Sequence, residues 1–411
     1  MQTKHEVVIT GIGVITPLGC SYEEVWQNMM SGKNGVSVFP ESYYSMAEEN
    51  VYVGGLCPEV SFDDITYLDK RAKRNLQKLN RATKMAIFSG MKALADAGID
   101  VQDDCSKLNI GSILGTGTAL ADRYDGISFA DRNPKWFLET YPNLINGYLS
   151  IYASLTGYGS TIVNACVGGT QAIGEAFKKI QYGEEEIMLA GGVDDKMSKV
   201  YASGFSRLGM SSISDDPEKA CRPFDQSRDG LVMGQGACCF ILESLESAKR
   251  RNVPIKGRVV GYGNAMDAKS IIETSSDGKA RAMQRAIKDA NIQPTDIGYI
   301  SAHGTSTQNN DMEESLAIQK VFGEYATKIP ISSTKSFLGH TFAACGALQT
   351  MICMKSLEEQ RVHGNRNFRK TDIDLNLDYV EGIYRNVSME YCMVNTSGLG
   401  GFNSSLVLRK V

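Results

Sequence analysis

The chain has 411 residues, 42% of them hydrophobic and 22% charged, with a formal net charge of -4. That length accommodates two domains, or one core fused from two similar halves. Slight acidity excludes a dedicated nucleic-acid binder, which is basic overall, and no apolar run approaches the ~18–20 residues that span a bilayer.

In chain order, "MQTKHEVVITG" enters a strand pattern at once, with no signal-peptide core. "TGIGVIT" (10–16) lacks the third glycine and the spaced acid of a dinucleotide loop. Between Lys70 and Lys84, "KRAKRNLQKLNRATK" carries seven basic residues and no acid. A helical end, "KALADAGID" (92–100), leads to the strand-like "IGSILGTGT" (110–118). "NACVGGTQAIGEA" (164–176) then opens an Ala-rich helix, and "IMLAGGVDD" (187–195) is an apolar strand running into glycines.

The same order returns in the second part of the chain. "VVITGIG" (7–13) is echoed by "VVGYG" (259–263), 92–100 by "RAIKDANIQ" (285–293), and 110–118 by "IGYISAHGT" (297–305). "GHTFAACGALQTM" (339–351) answers 164–176, and "CMVNTSGLGG" (392–401) answers 187–195. Short β-branched runs alternating with 3.6-period segments predict an α/β fold with both sheet faces covered. The boundary is expected between 1–256, carrying Cys166, and 257–411, carrying the histidines. Ligands of such sheets sit beyond the carboxyl ends of the strands.

Ten cysteines show no CxxC spacing, which argues against structural zinc or a disulfide framework and for a reducing, cytoplasmic setting. Cys166 stands at a helix N-terminus, where the dipole lowers a thiol pKa. Gly168 and Gly169 permit close approach of another chain or a substrate. Position alone leaves Cys166 balanced between nucleophile and buried thiol. Asn164 stands where a hydrolase elbow would carry glycine. His5 and His363 have no supporting context. His303 and His340 lie at a strand end and a helix start, and with Cys166 they shift the balance towards catalysis. Lys335, in the apolar "SSTKSFLGH", is placed to hold a carboxylate or tune an imidazole. The glycines of "SGLGG" (397–401) expose backbone N–H groups suited to an oxyanion hole.

With Cys166, "HGTST", "KSFLGH" and "GLGGFN" in this order, the chain resembles the β-ketoacyl-acyl-carrier-protein synthases of the thiolase superfamily. "VVITGIGVITPLG", "RPFDQSRDGLVMGQGA" (222–237) and "SGLGGFNSSLVL" (397–408) extend the likeness over essentially the whole chain. The resemblance implies a thiolase-like fold, two duplicated βαβ-type halves stacked as a five-layered αβαβα core. It implies decarboxylative Claisen condensation of a malonyl thioester with an acyl chain held on Cys166. His303 and His340 match the donors to the enolate oxygen, and Lys335 the lysine supporting the second histidine. Glu314 matches an acidic partner, the N–H groups of Cys166 and Leu399 the oxyanion hole, and Thr305 and Thr307 the pantetheine grip. No cofactor or metal is implied, since substrates ride on the phosphopantetheine of acyl carrier protein. A dimer is implied, with a second copy or a chain-length-factor-like subunit, and no nucleic-acid or membrane partner.

Departures from the family pattern narrow the expectation. Val167-Gly168-Gly169 replace small hydroxyl residues, and Gln235 replaces an acid. Ser397 and Leu399 stand where two phenylalanines gate the acyl pocket, followed by Phe402. "SGLGGFNS" and "QNND" (308–311) look like type II polyketide ketosynthases, so a polyketide or polyene pathway is expected. The alternatives are housekeeping fatty-acid elongation and a non-catalytic chain-length partner, the latter opposed by Cys166 and both histidines. In the basic run, Lys70, Arg71, Lys73, Arg74 and Lys78 are expected to dock the acidic carrier protein.

Overall fold

The computed structural model describes residues 4–63, 65, 67–117, 128–131 and 136–411. Thr118, last residue of the 110–118 match, lies outside them. Ten strands form the main sheet: β1 (Val7–Ile15), β2 (Gly111–Thr116), β3 (Gly159–Ile162), β4 (Ile187–Asp194), β5 (Gly236–Ser244), β6 (Gly257–Met266), β7 (Ile297–Ser301), β8 (Ile331–Ser332), β9 (Tyr391–Gly398) and β10 (Phe402–Arg409). Their order is β8-β7-β9-β10-β6-β1-β5-β4-β2-β3. Each half therefore reads third-second-fourth-fifth-first, and the duplication seen in the motifs is a duplication of topology. β1 and β6 meet over three residue pairs, Val7 with Val259, Val8 with Arg258 and Ile9 with Gly257.

Among the helices of the described residues, six bear on the site and its layers: α1 (Lys70–Gln77), α2 (Arg81–Asp96), α3 (Gly168–Gln181), α4 (Ser276–Ala290), α5 (Gln308–Phe322) and α6 (Cys345–Glu359). α2 covers β1 and β5 from outside, α4 covers β6 and β10, and α3 and α6 lie between the two half-sheets. The five αβαβα layers expected from the resemblance are thus present. Paired glycines show why the repeat was legible. A Cβ on Gly11 or Gly13 would meet the Ala93 or Ser89 carbonyl of α2 at 2.1 or 1.9 Å. One on Gly261 or Gly263 would meet the Ala286 or Ala282 carbonyl of α4 at 2.3 or 2.0 Å. Only glycine lets these helices pack so close to their strands.

α6 is buried on every side from Cys345 to Leu357, as a helix sandwiched between two sheets must be. Its buried Lys355 reaches out to Glu23 (2.8 Å) and Glu358 (3.0 Å). Three apolar layers fill the spaces, one between the half-sheets and one beneath each outer helix layer. No helix of the described residues is long and apolar enough to cross a membrane.

Candidate active site

The strand-to-helix turn that carries Cys166 occurs twice. Ala165 has φ 49°, is followed by the 3₁₀ turn Ala165–Val167, and then by α3. Phe342 has φ 46°, is followed by the 3₁₀ turn Phe342–Ala344, and then by α6. Left-handed backbone at a residue with a side chain costs about 1–3 kcal/mol and persists only where the surroundings enforce it. Asn164 helps enforce the first turn, donating to Gln171 Oε1 at 2.7 Å, while Gln171 donates to Asn264 Oδ1 at 3.1 Å. The two strained residues correspond, so Cys166 answers to Ala343. His340 enters the site from three residues ahead of the matching position.

Gly168 and Gly169 serve the fold. A Cβ on Gly169 would lie 2.6 Å from the Ala343 carbonyl, and one on Gly115 of β2 would lie 2.0 Å from the Gly168 carbonyl carbon. The glycines let α3 enter against β2 and against the second turn. It is chain, not substrate, that approaches closely there.

Cys166 Sγ and ring nitrogens of His303 and His340 lie within 4.8 Å of one another. Burial pushes the Cys166 thiol up, reinforced by Cys345, while the Lys335 and Lys196 ammonium groups pull it down. Desolvation is the largest of these causes and opposes the lowering expected at a helix N-terminus. Three such ligands also resemble a metal site, but the two ammonium groups acting on these atoms oppose a dication.

His340 follows Gly339, whose φ is 70°, and its N–H donates to the Val232 carbonyl at 2.6 Å. The Phe342 N–H donates to His340 Nδ1 at 3.1 Å, so the neutral ring carries its proton on Nε2. His303 packs edge-on against it, ring centres 5.3 Å apart. The Glu314 carboxylate accepts the His303 and Gly304 N–H groups, both at 2.8 Å, and so fixes the loop after β7. Lys335 Nζ lies 3.3 Å from His303 Nδ1 and donates to the His303 carbonyl at 2.5 Å. The lysine thus hydrogen-bonds the first histidine, while its charge acts on the second as well. Burial, then Lys335, drives both imidazoles well below the usual histidine range. At neutral pH they are uncharged N–H donors.

The β9–β10 turn passes over the nucleophile: a Cβ on Gly398 would sit 3.2 Å from the Cys166 nitrogen. Leu399 is the next residue in that turn. Leu399 and Phe402 are partly exposed there. Ser397 is not a free gate. It accepts from Lys279 Nζ at 2.6 Å and donates to Asn403 Oδ1 at 2.8 Å. Thr305 and Thr307 stand with their hydroxyls 2.8 Å apart at the start of α5.

Gln235 is buried at the junction of three segments. Its carbonyl accepts from Cys57 N (3.0 Å) and Arg81 Nε (3.1 Å), and its amide donates to Asp195 Oδ1 (3.0 Å). Asp195 is the acid that Gln235 meets there. Arg81 turns inward to Gln235 and Glu59, which removes it from the basic run. Lys70, Arg71, Arg74 and Lys78 are exposed on or beside α1, and Lys73 reaches back to the Asp63 carbonyl at 2.8 Å. His363 is a core residue, within hydrogen-bond reach of the Tyr299 hydroxyl (3.2 Å) and the Gly364 carbonyl (2.9 Å).

Besides Lys355, two buried lysines escaped the sequence reading. Lys196 lies with its Nζ 3.7 Å from Asp194 Oδ1 and 4.4 Å from the Tyr201 ring centre, and its field acts on Cys166 and His340. Nothing in "DDKMS" announces it. Lys279 did leave a signal: with Met283, Ala286 and Ile287 it falls on the i, i+4, i+7, i+8 stripe that α4 buries.

Residues 4–248 match the model of the family "Beta-ketoacyl synthase, N-terminal domain", and residues 256–369 that of its C-terminal domain. The chain belongs to the β-ketoacyl synthase family. This ketosynthase is 34% identical over 423 residues to a 3-oxoacyl-[acyl-carrier-protein] synthase 2 of Staphylococcus aureus (strain N315), covering 100% of this chain and 99% of that one. A crystal structure of a β-ketoacyl synthase from Burkholderia phymatum STM815 superposes with TM-score 0.91 at 32% identity, covering 99% of this chain and all of the other. Two further ketosynthase structures are similar, each covering 99% of this chain and 100% of theirs. One is a type II ketosynthase in complex with its acyl carrier protein and bound to a hexaketide (TM-score 0.88, 28%). The other is the ishigamide ketosynthase/chain length factor (TM-score 0.89, 27%).

Proposed function

We propose that this ketosynthase extends acyl chains on acyl carrier protein by decarboxylative Claisen condensation. The convergence of Cys166 Sγ with two neutral histidines beneath the 397–401 turn carries the reading. The Cys166 sulfur attacks the acyl thioester, and its proton goes to the departing pantetheine sulfur. The malonyl C–carboxylate bond then breaks, CO₂ leaves, and the electron pair forms an enolate whose oxygen takes N–H hydrogen bonds from His303 and His340. The enolate carbon attacks the Cys166 thioester, the oxyanion rests on the Cys166 and Leu399 N–H groups, and the C–S bond breaks to return the thiolate, which takes up a proton. Thr305 and Thr307 guide the pantetheine arm, and Lys70, Arg71, Lys73, Arg74 and Lys78 receive the carrier protein.

The 34%-identical synthase 2 relative favours fatty-acid elongation over the polyketide reading that "SGLGGFNS" points to. Ser397, hydrogen-bonded to Lys279 where a gating phenylalanine is expected, is the observation that keeps a specialised chain in view. Pairing with a chain-length-factor-like subunit is supported by the likeness to the ishigamide ketosynthase/chain length factor, and a second copy is the alternative mate. We place the division between the halves at 256/257, ahead of β6. Incubation with acyl- and malonyl-carrier protein, followed by intact mass, tests the chemistry. An acyl adduct on wild type but not on Cys166→Ala is expected, and persistence of the adduct in that variant would overturn it. Decarboxylation at the wild-type rate by both His303→Ala and His340→Ala would overturn the histidine roles.

A further inference from the structure

Lys279 is a fully enclosed ammonium, 4% exposed, in the second turn of α4. Placing such a charge inside a protein is costly unless its hydrogen bonds are well made. Two are made, to Ser397 Oγ at 2.6 Å and to Asn310 Oδ1 at 2.9 Å. The carboxylates of Glu314, Asp267, Asp311 and Glu313 surround it at longer range. The adjoining cavity, lined by Lys279, Glu314, Asn395, Ser397 and Asn403 among others, measures about 10 Å³. That is at the limit for one water molecule, so the place is a joint and not a binding pocket.

The two bonds lead in different directions. Ser397 is two residues before Leu399, in the turn over Cys166; its hydroxyl donates to Asn403 Oδ1, and the Asn403 amide donates to Asp267 Oδ1, both at 2.8 Å. Asn310 lies in the first turn of α5 and donates to Asp311 Oδ1 at 3.1 Å, the same oxygen that accepts the Thr305 N–H at 2.9 Å. One turn on, Glu314 holds the His303 and Gly304 amides. A single side chain therefore ties the turn that stabilises the acylated cysteine to the helix that fixes the first histidine.

We propose that Lys279 is a positioning residue that sets the 397–401 turn against the His303 loop, so that the enolate forms within reach of the Cys166 thioester. The proposal rests on the condensing mechanism above. Loosening the joint leaves both half-reactions possible but misaligned, so CO₂ is released and the enolate carbon takes a proton from water, giving an acetyl thioester on the carrier protein in place of a new C–C bond.

The test measures CO₂ released per β-ketoacyl product for wild type, Lys279→Met, Ser397→Ala and the double variant, each loaded with acyl- and malonyl-carrier protein. This ratio does not depend on the fraction of active protein, so lost stability alone leaves it unmoved. Wild type is expected near one. Both single variants are expected to rise at least threefold, and the double variant no further than Lys279→Met, because both cut one connection. Unchanged ratios, or independent effects that multiply in the double variant, overturn the proposal. If Lys279→Met does not fold, Ser397→Ala alone decides it by the same threefold criterion. Wild type that makes no product at all would sink the condensing mechanism instead.

Discussion

Lys335 Nζ lies 3.3 Å from the Nδ1 of His303 and 2.5 Å from the carbonyl oxygen of the same residue, so one ammonium fixes both ring and backbone. Its charge, together with burial, His340 and Lys279, keeps the His303 ring neutral. Removing it in Lys335→Met raises the His303 pKa part of the way back, because burial is the larger cause and remains. Neutral histidine is the working form, so the acid limb of the decarboxylation rate moves to higher pH, while the ring freed from its anchor lowers the rate at pH 7 by about 10–100-fold through misplacement. A pH–rate profile checks this; an unmoved acid limb counts against it.

Stability is expected to fall in mild acid. Burial pushes His363 down to about 4, and His303 and His340 also lie well below 6.5. Unfolded histidines protonate from about pH 6.5, the folded ones do not, so their contribution drains away as pH falls below 6.5. For His363 alone the loss at pH 5 is about 2 kcal/mol. Asp311, raised to about 6 by burial, acts in the opposite sense over pH 6 to 4 and offsets part of it. Urea denaturation at pH 7 and pH 5 should show the drop, and His363→Gln should shrink it by roughly the same 2 kcal/mol.

Gly169→Ala separates packing from pocket. The new methyl would meet the Ala343 carbonyl at 2.6 Å and the Ala347 nitrogen at 3.3 Å, both backbone atoms that cannot step aside. A loss of about 1–3 kcal/mol is expected, with lower acylation at Cys166. Wild-type melting together with an altered chain-length preference would show that the glycine widens a pocket instead.

The exposed charges beside α1 give a kinetic prediction. Arg74→Glu combined with Lys78→Glu should raise KM for carrier-bound malonate at least several-fold and leave turnover of a malonyl-pantetheine thioester unchanged. The difference should shrink as salt rises. Equal KM values for wild type and variant at low salt would remove α1 from carrier recognition.

Much of this was readable from the residues because the duplication writes its rules twice. Gly11 and Gly13 against α2, and Gly261 and Gly263 against α4, are the same packing constraint at the same strand. Cys166, His303 and His340 were readable because polar residues at strand ends in an apolar context are rare. What could not be read was who touches whom. His340 precedes Phe342 by two residues, yet which of its nitrogens is free depends on where the Phe342 N–H points. Lys335 is nearer in sequence to His340 but packs on His303, because Lys335–Leu338 is helical and turns the side chain back. The thiol's desolvation likewise depends on chain from both halves closing over one turn.

The seam between the halves carries a consequence for how the molecule is made. β1 pairs with β5, more than 220 residues later, and then with β6. As the chain leaves the ribosome, Val7–Ile15 must wait for more than 220 further residues before either neighbour exists. Contacts of such long reach make folding slow, and an apolar strand left unpaired meanwhile invites association with other chains. The nine buried residues of β1 therefore form the stretch where chaperone capture during synthesis would matter most.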